Sequence, residues 1–147
     1  MKFHTALAAT LLACASIGQV AVAQVSLLDP NTAEAAALKA LPNVTDQVSQ
    51  AIVAGRPYAT TAAFNAAVSK VLNEAQRKEL YGKLFLKIDL NKASRDEILL
   101  IPGMTTRMAR EFEEYRPYKN IEQFRKEIGK YVDAKEVARL ESFVSLK

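Results

Sequence analysis

The sequence predicts an all-α fold built from two small helical units in tandem. Three observations carry this reading: the chain repeats itself at an interval of sixty residues, helix-start signals recur inside each copy, and no alternating β-branched run of useful length occurs. A shift of that size brings Asp29 onto Asp89, Asn31 onto Asn91, Pro42 onto Pro102 and Thr45 onto Thr105. It continues without a gap through Arg56-Pro57-Tyr58 onto Arg116-Pro117-Tyr118, Phe64 onto Phe124 and Leu80 onto Leu140. Apolar character persists where identity does not, as in Leu38 with Ile98 and Ile52 with Phe112. A helical unit of this size is marginal alone, so the two copies are expected to pack against each other.

The elements follow in order in the second copy. Ser94 with Glu97 three places on is a capping box, and it opens a short helix carrying Ile98 and Ile101 on one side. Pro102-Gly103 ends that helix. Thr105 or Thr106 can cap the next, whose apolar residues Met108, Phe112 and Tyr115 recur at spacings of three and four until Pro117 stops it. Asn120 with Gln123, and Asp133 with Glu136, repeat the start signal for two more helices. In the first copy Asn73 with Gln76 opens the last helix in the same way.

Ahead of both copies, Lys2, the apolar run Ala6 to Val22 and the small-x-small pattern Ala21-Val22-Ala23 read as an export signal over residues 1–23. The expected compartment is the periplasm or the cell exterior. Leu11-Leu12-Ala13-Cys14 also reads as a lipobox, which would leave Cys14 as an acylated N-terminus. No membrane span is expected after the signal.

Composition narrows the chemistry. The single His and the single Cys are His4 and Cys14, both inside the leader, so a mature chain offers neither imidazole nor thiol. That excludes most zinc sites, disulfide frameworks, Cys nucleophiles and His-dependent triads. Adjacent carboxylates such as Glu113-Glu114 have no His or other base beside them in sequence to suggest acid/base work, so no enzyme activity and no cofactor are expected. Of the 20 Lys and Arg, only Lys2 falls in the leader, leaving 19 against 16 acids. So small a surplus makes no strong basic field. The run Arg107 to Arg116 interleaves Glu111, Glu113 and Glu114 with its basic residues and predicts an exposed helix face with internal ion pairs. The two Arg-Pro-Tyr triplets are expected to serve packing, because Pro ends a helix and lets the Tyr ring fold onto the core.

The order helix, Ile-Pro-Gly turn, helix, Arg and aromatic, short helix resembles the helix-hairpin-helix module, and Asp89-Leu90-Asn91-Lys92-Ala93-Ser94 resembles the lead-in of the ComEA family of competence proteins. The resemblance covers residues 86–147 well and residues 26–85 more weakly, in the same order. It implies a ComEA-like (SAM-like) helix-hairpin-helix domain over 86–147, preceded by a degenerate one over 24–85. In that family the hairpin holds a phosphate of double-stranded DNA through its backbone amides, in DNA uptake. Free N–H groups and the dipole at a helix N-terminus favour an anion, and glycines allow close approach.

The implied DNA-binding site is Pro102, Gly103, Met104, Thr105 and Thr106, with Arg107 and Arg110 supplying charge. Thr105 stands where the family has a second glycine, and a Thr resists left-handed backbone, so the loop is expected to be reshaped. Leu41-Pro42-Asn43-Val44-Thr45 lacks both glycines, and Asp46 places a negative charge at the approach, so the first hairpin is expected to be structural. The competing reading is an extracytoplasmic protein-protein interaction module that has lost DNA binding, as in the PsbU family of extrinsic photosystem subunits, which is similar in its Asp-Leu-Asn lead-in and single Pro-Gly hairpin.

Overall fold

A computed structural model describes residues 26–147; the leader reading over residues 1–23, with His4 and Cys14, lies outside the described residues. The described chain runs α1 (Ala35–Lys39), α2 (Asp46–Ala54), α3 (Thr61–Val68), α4 (Glu74–Tyr81), β1 (Ile88–Asp89), α5 (Arg95–Leu99), α6 (Thr106–Glu114), α7 (Ile121–Ile128), α8 (Ala134–Glu141) and β2 (Val144–Ser145). It is mostly helical, and each of the last four helices begins and ends sixty residues after its counterpart among the first four.

Two short strands accompany the helices without changing the all-α class. β1 and β2 pair in parallel, with Ile88 opposite Val144, and Leu28 makes the corresponding bridge to Leu84. Two residues per strand leave no alternation for the sequence to display. The pairing ties the start of each copy to its end.

Helix starts follow the residue chemistry. Asn73 with Gln76 and Ser94 with Glu97 form complete capping boxes, each side chain bonding the other residue's amide. Asn120 and Asp133 cap α7 and α8 through the amides of Gln123 and Glu136, but the reciprocal half is missing. The Gln123 side chain accepts from the Lys119 amide instead, and Glu136 is held by both arms of Arg139. A charge-assisted fork outcompetes a neutral amide for that carboxylate.

One core runs through both copies. Phe64, Phe85, Phe112, Phe124 and Phe143 are fully buried, and Phe85 meets Phe143 edge to face at 5.1 Å, joining the end of one copy to the end of the other. The Thr61 hydroxyl donates to the Leu86 carbonyl at 2.8 Å. Glu97 Oε1 accepts from the Ala62 amide at 3.2 Å, so a capping residue of the second copy also reaches the first turn of α3.

The Arg-Pro-Tyr triplets are architectural. Arg116 donates to the Leu90 and Ala93 carbonyls at 2.6 and 2.8 Å, and Arg56 does the same to Pro30 and Ala33 at 2.6 and 2.5 Å. The Asn91 side chain accepts from the Tyr118 amide and donates to its carbonyl; Asn31 treats Tyr58 likewise. Both Tyr rings are buried against a Phe of their own copy, Tyr58 on Phe64 and Tyr118 on Phe124.

Candidate nucleic-acid interface

The segment after Ile101 turns through Gly103, whose φ of 77° lies in the left-handed region where a side chain is disfavoured. Thr105 corrects the expected reshaping: its φ is −102°, extended backbone that any residue adopts, so the Thr replaces no left-handed glycine. Its hydroxyl oxygen caps α6 by accepting from the Met108 amide at 3.2 Å, which leaves its own O–H available to donate outward.

The sequence-predicted residues separate here into two groups. The amides of Gly103, Thr105, Thr106 and Arg107 have no acceptor among the described residues, and all four residues are exposed. Thr106 and Arg107 open the nine-residue α6, where unpaired N–H groups concentrate partial positive charge. Arg107 and Arg110 are exposed on the side of α6 away from buried Ala109 and Phe112, and neither guanidinium has a carboxylate partner among the described residues. Met104 does not join them: its amide donates to the Ile101 carbonyl at 3.0 Å and its side chain packs against the core. Pro102 has no N–H and shapes the turn.

The internal ion pairs expected along Arg107 to Arg116 are not formed. Glu113 instead pairs with Arg95 of α5 at 2.5 Å, across the hairpin, and Arg116 is spent on backbone carbonyls. Arg107 precedes Glu111 and Arg110 precedes Glu114 by four places, the weaker order for a helical pair because it opposes the helix dipole.

Sequence reasoning missed Arg139. A Cβ on Gly103 would lie 3.6 Å from its Nη2, so α8 brings a third guanidinium to the tip, although this one is held by Glu136. In the first copy the corresponding residues are Asn43 and Glu79, and they bond each other at 2.8 Å. Asn43 holds the left-handed backbone there, with φ 62°, and Lys39 pairs with Asp46 at 2.7 Å. The sixty-residue shift aligns Glu79 with Arg139, and that reversal of sign beside the tip was the available signal.

Among the described residues, no helix is long and apolar enough to cross a membrane, and no group of three or more His, Cys, Asp or Glu is placed to hold a metal ion. No protein-family model, curated protein or solved structure matches the chain.

Proposed function

We propose that the chain is an exported, non-enzymatic, tandem helix-hairpin-helix protein that holds double-stranded DNA loosely by its phosphates through the second hairpin. The observation that carries the reading is the cluster of four unpaired amides, at Gly103, Thr105, Thr106 and Arg107, beside the exposed and unpaired Arg107 and Arg110. Such donors suit a phosphate oxygen, and they read no base. If the tip neutralises about three phosphates, the salt slope is roughly −2.7, and affinity falls about forty-fold between 50 and 200 mM salt.

Fluorescence anisotropy at low salt against a random-sequence duplex tests this. Binding that weakens with salt and is lost in Arg107→Ala with Arg110→Ala is the expected result. No binding at tens of micromolar protein, or binding indifferent to those two substitutions, would replace it with the second reading, an extracytoplasmic protein-protein interaction module. The first hairpin, whose side chains are engaged with one another, Asn43 with Glu79 and Lys39 with Asp46, is the observation that favours that alternative.

A further inference from the structure

The two copies differ in what covers one groove. In the first copy Asn65, Arg77, Lys78 and Tyr81, on α3 and α4, line a cleft of about 550 Å³ whose opposite wall is the segment Leu99 to Met104 of the second copy. Helix α5 packs on α3 there. The counterparts sixty residues on, Arg125, Val137, Ala138 and Glu141, line a groove of about 350 Å³ in which every lining residue belongs to α7, α8 or the turn between them. The segment that would supply the missing wall is α1 and the residues through Val44, the counterpart of α5 and the residues through Met104. It lies in the first copy, and nothing in the described residues repeats the junction for it.

We propose that α1 and the segment through Val44 of one chain seat in the α7–α8 groove of a second copy, reproducing between chains the junction already made within one. The substitutions at matched positions suit this. The second groove carries Val137 and Ala138 where the first carries Arg77 and Lys78, and it would receive the exposed Ala40 where the first receives Leu100. Lys39 replaces Leu99 and Glu141 replaces Tyr81, and each is already paired within its own chain, Lys39 with Asp46 and Glu141 with Arg125, so the contact rests on the apolar positions and gains no unpaired charge. Other parts of the junction are not repeated. Phe85 and Phe143 correspond to Ser145 and Lys83, and Glu97 corresponds to Ala37, so the contact between chains lacks the aromatic pair and the bond to the α3 amide. Association is therefore weak and reversible. A head-to-tail contact of this kind is heterologous and builds rings or open arrays, as stacked repeats do.

Sedimentation velocity on the purified chain tests the proposal without reference to DNA. The weight-average mass is expected to rise at least two-fold between about 10 µM and 1 mM, the range of a weak contact. Ala40→Glu, on the exposed α1 side, and Ala138→Glu, in the groove, should each hold the chain monomeric over that range. Mixed in equal amounts they should form a dimer and nothing larger, because the first variant keeps its groove and the second keeps its α1 face. A wild-type chain that stays monomeric at every concentration overturns the proposal, as does a mixture that stays monomeric or a single variant that assembles like wild type.

Discussion

A Cβ on Gly55 would lie 2.3 Å from the Tyr58 hydroxyl, which occupies that space to donate to the Ile52 carbonyl at 2.8 Å. The second copy has Tyr115 in place of Gly55, and there the buried Tyr118 hydroxyl has no hydrogen-bond partner among the described residues. A side chain at 115 fills the space through which the bond would pass. Burial pushes the pKa of both phenols up, Tyr118 strongly.

The two tyrosines should therefore respond in opposite ways to loss of the hydroxyl. Tyr58→Phe is expected to cost about 1 kcal/mol, the net worth of a hydrogen bond, while Tyr118→Phe is neutral or stabilising because it removes an unsatisfied group. Gly55→Ala should cost about 1–3 kcal/mol by overpacking against Tyr58. Urea denaturation of the three variants reads all of these, and equal losses for the two Tyr→Phe changes would refute the pairing argument.

The arginines separate just as cleanly. Arg116→Ala leaves the Leu90 and Ala93 carbonyls without their donor and should destabilise by about 2 kcal/mol or more, with Arg116→Lys restoring only part because an ammonium lacks the fork. Arg107→Ala and Arg110→Ala are expected to stay within about 0.5 kcal/mol of wild type, as exposed surface changes do. Thermal denaturation distinguishes the two classes before any binding is measured.

Gly103→Ala should cost about 1 kcal/mol in stability from the left-handed backbone alone, since Arg139 at 3.6 Å leaves ordinary room for a methyl group. Asn43→Gly relaxes the backbone at the matching position but loses the bond to Glu79, so its net change should be smaller. Comparing the urea midpoints of the two variants checks this.

Local signals made the helices legible in the sequence. Capping residues and apolar spacing act within a few residues, and Ser94, Asn73 and Thr105 cap the amides that lie three positions on. The repeat made the Arg-Pro-Tyr packing legible for the same reason, since both copies carry it. What escaped were partners chosen by the tertiary arrangement, Glu113 turning to Arg95 and Leu28 bridging Leu84, and one local competition, in which Arg139 takes Glu136 from its capping box three residues earlier on α8. At the candidate site, the resemblance implies a left-handed glycine at position 105, whereas the left-handed residue of the turn is Gly103 and Thr105 is extended. Arg139 was missed because it comes from α8, far along the chain.

Acid should weaken the fold through two carboxylates. Burial alone would raise the pKa of Glu97, but hydrogen bonds from the Ser94 and Ala62 amides, the Ser94 hydroxyl and the Thr61 amide outweigh it and hold it low. Arg125 holds Glu141 low by a hydrogen bond and by charge, against some burial. A folded-state value below the unfolded one means that the contribution is complete above the ordinary glutamate pKa, about 4.3, and is lost as pH falls through the depressed values. The urea midpoint should hold level above about pH 5.5 and drop below about pH 4.5. Glu97→Gln should start lower at neutral pH and fall less steeply; an unchanged slope would show that Glu97 contributes nothing to the acid response.

The parallel pairing of Leu28 with Leu84, and of Ile88 with Val144, has an evolutionary consequence. Because the chain comes into each copy alongside the place where it leaves, and runs in the same direction at both, a gene can gain or lose a whole copy by in-frame duplication or deletion without rerouting the flanking backbone. The gap-free alignment of the two copies is what an in-frame duplication would leave behind.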